Sequence, residues 1–237
     1  MNYRNYLQLT VIFLLLSGCG QSEPTVEVGL FGIPSGTYSV DKSHTSVTFS
    51  YFHQGLSYPL LRATGIDGEL DLDSNALGES RASIAMDVES IRTNLDYFDK
   101  ELSSRKFFHA DKYPHITFAT HSYTSLSDSL GELTGFVTIR GITKPIVLSV
   151  QINGAMQHPA LHTPVIGFSA SGSLKRSDFG LDRFVPMVGD KVEIRIEAEF
   201  LLGSNAGSAA AVKLATDAIA NADPASLQVS ADIGAGI

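Results

Sequence analysis

A single cysteine in 237 residues, Cys19, excludes an intramolecular disulfide, so the fold has to be held by a buried apolar core. Long hydrophobic runs are also missing. The stretch at residues 9–16 falls well short of the roughly 20 apolar residues that span a bilayer, and no later stretch is long enough to cross one. Positive charge is scarce, with 17 Lys and Arg against 25 Asp and Glu, and a net charge of -8 leaves no basic face for nucleic acid. There is no Gly-x-Ser-x-Gly elbow. Ser43-His44 beside Asp41 does not replace it, because adjacent residues on a strand point to opposite faces. The histidines form no ligand set: His115 and His121 would share a strand face about 20 Å apart, and His158 and His162 bracket Pro159, so no helix aligns them. Neither a catalytic centre, nor a metal, nor an organic cofactor is expected.

Cys19 has a particular setting. It follows Leu16-Ser17-Gly18, which closes the apolar run, and Arg4 lies in the segment before that run. This arrangement resembles the lipobox of a bacterial lipoprotein signal peptide. The resemblance implies that residues 1–18 are removed and that Cys19 is the lipid attachment point of the mature chain. A short membrane anchor, or a secretory signal with a chance cysteine, is the alternative. On the lipoprotein reading the protein lies in the cell envelope, at the periplasmic face of the outer membrane, because Gly20 and not aspartate follows Cys19. The membrane is then a partner through the N-terminal lipid anchor.

Residues 19–35 have few periodic apolar positions and read as a linker. From 36 to 203 the pattern becomes short alternating segments separated by Gly, Asp, Asn and Pro. Ile66, Gly68, Leu70 and Leu72 alternate with Asp67, Glu69, Asp71 and Asp73, and Val192, Ile194, Ile196 and Ala198 alternate with Glu193, Arg195, Glu197 and Glu199. Similar segments surround Phe49, Met86, Phe118 and Phe168. Residues 133–140 and 146–152 form a hairpin about Gly141 to Pro145. Leu95, Phe98 and Leu102 recur at helical spacing, with Asn94 placed to cap the start. The pattern predicts an all-β fold, an extended eight-stranded antiparallel β-barrel with one short helical insertion. Residues 204–237 are rich in Ala, Gly and Ser, a tail that forms a weak helix or stays disordered.

An eight-stranded barrel is wide enough either to fill with side chains or to hold one small ligand, and the pattern leaves both open. Tyr38-Ser39-Val40-Asp41-Lys42-Ser43-His44, Asp111-Lys112-Tyr113-Pro114-His115, Thr138-Ile139-Arg140-Gly141-Ile142-Thr143-Lys144-Pro145 and Lys175-Arg176-Ser177-Asp178-Phe179-Gly180 stand in order along the chain. Together they resemble the YceI-like family. That resemblance implies a lipocalin-like barrel with an interior channel, in a periplasmic or secreted protein that binds an isoprenoid-type lipid or similar amphiphile, and it brings no catalytic residues. The apolar interior expected to meet such a ligand comprises Phe49, Tyr51, Ile84, Met86, Val88 and Phe118. Later strands add Val137, Ile139, Leu148, Phe168, Ile194 and Ile196. His44, His53 and Arg92 are the polar residues expected at the mouth. The sequence departs from the family in the insertion, where Phe98-Asp99-Lys100-Glu101-Leu102 replaces a common Arg-Asp and His-Leu pattern. Transport or storage of the lipid is the expected role. A structural or interaction module with a filled barrel is the alternative, a hydrolase a more remote one, and a homodimer is compatible with all three.

Overall fold

The structure, a computed structural model, describes residues 32–203 and 205–229. The leader at 1–18, Cys19 and most of the linker expected at 19–35 lie outside these residues.

The strands are β1 (Gly36–Val40), β2 (Ser46–His53), β3 (Leu60–Ala63), β4 (Ile66–Leu72), β5 (Arg81–Asp87), β6 (His115–Ser125), β7 (Leu130–Ile139), β8 (Ile142–Gln157), β9 (Pro164–Lys175) and β10 (Val188–Leu202). These segments make eight staves, because β1 with β2, and β3 with β4, are each one stave broken midway. Strand β10 pairs with β1 at Ser39↔Leu201 and with β2 at Val47↔Ile196. On the other side β1 takes β4 and β2 takes β3, and the order from β4 to β10 is that of the chain. The result is the expected closed, antiparallel eight-stranded barrel, in which the outer side of β3 carries only the isolated bridge from Arg62 to Arg92. Segments β1 and β3 have five and four residues, too short for their alternation to stand out in the sequence.

Each break is built. Between β1 and β2, the Asp41 amide donates to the Glu199 carbonyl at 2.8 Å, and the Glu199 amide donates to Thr45 Oγ1 at 3.2 Å, so β10 keeps its backbone bonds across the gap. Asp41 also accepts from the Ser43 amide and pairs with His44 Nδ1, both at 2.8 Å. Its burial would raise the Asp41 pKa, but the bonds from His44 and Ser43 outweigh this and lower it. The same hydrogen bond, with the charges of Asp41 and Glu199, raises His44 above the ordinary 6.5. A raised histidine contributes stability below 6.5 that is lost as pH climbs through the folded value, and a lowered carboxyl contributes above 3.8 what is lost on acidification. Thermal melts should therefore show the wild type losing stability relative to His44→Gln once pH passes 6.5. Parallel curves would remove the pair from the account of the break.

Side chains alternate between interior and exterior, with the period interrupted at irregularities near Thr120, Ile152 and Val188. One level of the interior runs Val150↔Ala170↔Ile196↔Val47↔Ala63, and the next runs Leu148↔Gly172↔Ile194↔Phe49↔Leu61. The mixture of large and very small residues sets how much of the bore is filled. Gly135 on β7 carries the ring of Phe118, and a Cβ there would meet that ring at 2.3 Å and the Ala119 carbonyl at 2.7 Å. Gly135→Ala should cost about 1–3 kcal/mol in urea unfolding, the range for overpacking a well-packed site. A neutral result would show that Phe118 swings aside freely.

Two local expectations are corrected, and of the two alternatives for the tail the helix is the one present. The β7–β8 reversal needs only Arg140 and Gly141, at φ 53° and 74°, and Pro145 lies inside β8 opposite Phe136. A two-residue turn with both residues left-handed matches the strand twist, and proline's φ suits the strand that follows. The helix of the insertion is α1 (Asp96–Ser103), and Asn94 does not cap it. Thr93 Oγ1 instead accepts from the Leu95 amide at 3.0 Å and donates to Asp99 at 2.7 Å. The tail contains α2 (Ala206–Ala220), a helix docked on the outer wall of β4, β5 and β6. Asn205 and Ser208 form a capping box, Ser208 Oγ donates to Glu69 at 2.7 Å, and Ala211 and Ala215 are buried against the wall. Tertiary packing supplies what so many alanines lack alone.

The barrel has two distinct ends. Gly36 stands beside Leu72 at one end, with the loops at 73–80, 126–129 and 158–163. The other end gathers the β2–β3 turn, α1 and its flanks, the β7–β8 turn and the β9–β10 loop.

Candidate functional site

The interior holds an apolar channel in two chambers. The far chamber, of ≈ 230 Å³, is walled by aliphatic and aromatic side chains from almost every stave, with a few hydroxyls such as Thr120 and Tyr123 among them. The second, of ≈ 360 Å³, lies at the α1 end and includes His53, Gln54, Arg176 and Arg183 as well as Phe98, Phe107 and Phe184. Phe49, Ile116, Val137 and Ile194 line both and form the waist between them. The mouth chamber lies in the lower part of the small-molecule range, roughly 300–1,000 Å³, and the far chamber falls just below it. Side chains do not fill the barrel, contrary to the filled-barrel alternative.

Among the residues expected inside, Ile84, Met86, Phe118, Leu148, Phe168 and Ile196 line the far chamber. Tyr51 and Ile139 line the mouth chamber, and Phe49, Val137 and Ile194 stand at the waist. Val88 lines neither. It opens the 3-10 turn Val88–Ser90, where the strand's alternation has already ended, and is buried beside the channel. Of the three polar residues, only His53 borders the mouth chamber. His44 sits on the outside at the β1–β2 break, roughly 25–30 Å along the stave from His53 at ~3.3 Å per residue. Arg92 is exposed, donates to the carbonyl of Ile91 at 3.0 Å, and pairs with Arg62 in an isolated bridge.

Arg176 organises the mouth. Its guanidinium donates to the carbonyls of Gly189 (2.9 Å), Leu181, Arg183 (2.8 Å) and Val188 (2.9 Å), drawing the β9–β10 loop around one cation. Burial lowers the Arg176 pKa, offset in part by Asp190, Tyr51 and Asp182. Asp190, whose own burial is outweighed by bonds from the Ser177 hydroxyl and amide at 2.7 and 2.9 Å and by the charge of Arg176, is held below the usual carboxylate range. Tyr51 is raised by burial in the same chamber, against the pull of Arg176. These partners are mostly backbone carbonyls, so no side-chain pattern in the sequence announces the role. A second grouping that spacing did not reveal is Asp41, His44 and Glu199, whose potential ligand atoms lie within 4.8 Å of one another. The geometry already described explains it as a staple across the stave break.

A closed antiparallel barrel whose bore is hydrocarbon-lined, with charged groups gathered at one end, is the architecture of the lipocalin-like binding barrels. The sequence profile of the YceI-like domain matches residues 38–200, and the chain belongs to that family. The protein YceI of Salmonella arizonae and that of Salmonella paratyphi B are each 29% identical over 164 residues, covering 68% of this chain and 85% of theirs. Among solved structures, the Campylobacter jejuni YCEI protein has a TM-score of 0.58 at 28% identity, over 65% of this chain and 90% of that one. Burkholderia cenocepacia BcnA has a TM-score of 0.59 at 20% identity, over 68% and 98%. A Saccharophagus degradans domain described as polyisoprenoid-binding gives 0.55 at 12%, over 70% and 98%. The matched region ends at residue 200, before α2.

Proposed function

We propose that the chain binds an isoprenoid-type lipid or similar amphiphile without catalysis, and carries or stores it at the periplasmic face of the outer membrane, to which lipidated Cys19 tethers it. One observation carries this reading: the far chamber is walled by hydrocarbon while Arg176, Arg183 and His53 gather in the mouth chamber. That polarity accepts a molecule lengthwise, with its apolar tail beyond the waist and its polar head toward the loops. Each methylene moved from water into such a wall contributes about 0.8 kcal/mol, so a chain of ten outweighs its own ordering cost. The Saccharophagus degradans domain, described as polyisoprenoid-binding, supports the ligand class. Mass spectrometry of lipid extracted from gently purified protein should find one class of long apolar chain in near-stoichiometric amount. Protein that purifies free of lipid and does not take up added polyprenyl lipid would overturn the reading.

A further inference from the structure

Both ends expose aliphatic side chains, Leu126, Leu130, Met156 and Leu161 at the far one, but the exposed aromatic rings gather at the mouth end. Leu56 and Tyr58 on the β2–β3 turn, Leu95 and Tyr97 at the start of α1, and Phe184 and Met187 on the β9–β10 loop all face solvent, Leu56 at 81% and Tyr97 at 70% exposure. The same three segments send Gln54, Phe98, Phe184 and Met187 into the wall of the mouth chamber, so the collar is continuous with the channel. Aromatic rings in it are organised: Phe52 stacks on Tyr58 at 4.9 Å, and Arg183 lies over Phe184 at 4.7 Å. Charge follows the same axis. The segments of this end, 54–59, 88–114, 140–141 and 176–187, balance eight Lys and Arg, Arg105, Lys106 and Arg183 among them, against seven Asp and Glu, whereas the loops at 73–80, 126–129 and 158–163 carry Asp73, Glu79 and Asp128 with only Arg81 of β5 reaching back to the Gly78 carbonyl.

We infer that this collar is a membrane-docking surface, whose occupant is the headgroup region of a phospholipid bilayer with an anionic share. Exposed aromatic and aliphatic side chains beside arginine are the composition that settles at such an interface. The acidic far end is repelled by anionic lipid, which fixes the orientation with the channel facing the bilayer. Phe184 and Met187 belong to both surfaces, so on docking the channel would open into lipid and an apolar ligand would pass without crossing water. What passes rests on the function proposed above; the docking does not.

The chain contains no tryptophan, so Phe184→Trp places a sole indole in the collar and Leu161→Trp a sole indole at the far end. Both are made in the full chain carrying Cys19→Ser, which leaves no acyl chain to hold it to a bilayer. With vesicles of phosphatidylethanolamine and phosphatidylglycerol, Phe184→Trp emission should shift to the blue and be quenched by brominated acyl chains, less so at high salt, while Leu161→Trp stays unchanged. Joint Leu56→Ser and Phe184→Ser replacement should lower vesicle co-flotation at least about tenfold. No shift at 184, or an equal shift at 161, overturns the inference. So does a shift at 184 that follows protein concentration without vesicles, since the collar would then join two copies. If docking fails while lipid still co-purifies, the inference falls and the lipid-binding reading stands; vesicle binding by a barrel that takes up no lipid has the opposite meaning.

Discussion

Ala170→Phe should nearly abolish loading of the barrel while leaving its fold intact. Ala170 stands in the interior level with Val150, Ile196, Val47 and Ala63, facing the far chamber. A phenyl ring there occupies the path an apolar tail has to take beyond the waist. If about four methylenes are turned away at about 0.8 kcal/mol each, the loss is about 3 kcal/mol, or roughly 100-fold in Kd. The usual penalty for inserting a large side chain, about 1–3 kcal/mol, applies to sites already packed, whereas this one borders open volume. Titration with a fluorescent polyprenyl probe should show the affinity loss, and thermal melts of lipid-free protein should be close to wild type. Unchanged affinity would place the ligand somewhere other than the bore.

Arg176→Met should have the largest effect on stability. The methionine keeps most of the stem's volume but withdraws the donors that serve four backbone carbonyls, two in the β9–β10 loop and two at the start of β10. Hydrogen bonds to a charged donor contribute about 1.5–3 kcal/mol each and are not additive here, so a total of about 3 kcal/mol or more is expected. Asp190 would also lose the cation that favours its charged form. The urea midpoint should fall, and amide exchange at residues 181–189 should accelerate more than in the staves. Arg176→Lys should rescue little, because one ammonium cannot serve several divergent carbonyls as a planar guanidinium does. Wild-type stability in Arg176→Met would mean that the loop holds itself.

The legibility of this fold in its sequence follows from how each element is held. Strands β4 and β10 were readable because one face meets the core and the other carries Asp, Glu and Arg in strict alternation. The broken staves were not, since β1 and β3 are short and their register is set by β10 and β2, far away in sequence. The interior residues are largely legible for the same period-2 reason, which fails at Val88, expected in the bore but lying where the period stops. His44 was misplaced because its position depends on the Asp41 to Thr45 detour, which turns the side chain outward toward Glu199. The mouth was the least legible part. Arg176 acts on backbone carbonyls, and α1 is fixed by Thr93 and Asp99, so neither role follows from a side-chain motif.

The entry of β1 at the end opposite the mouth turns the linker into a ruler. Strand β8, with 16 residues, runs about 53 Å at ~3.3 Å per residue, and a stave tilt of roughly 40° makes the barrel about 40 Å tall. Sixteen residues lie between Cys19 and Gly36, and a span of that many would reach at most about 60 Å fully extended. If Cys19 carries the lipid proposed above, the barrel would bring its mouth down to the bilayer only by tipping over and using most of that reach. On the same proposal a much shorter spacer would leave the acidic end on the lipid with the channel turned away from it, so spacer length would set which end of the barrel the membrane meets.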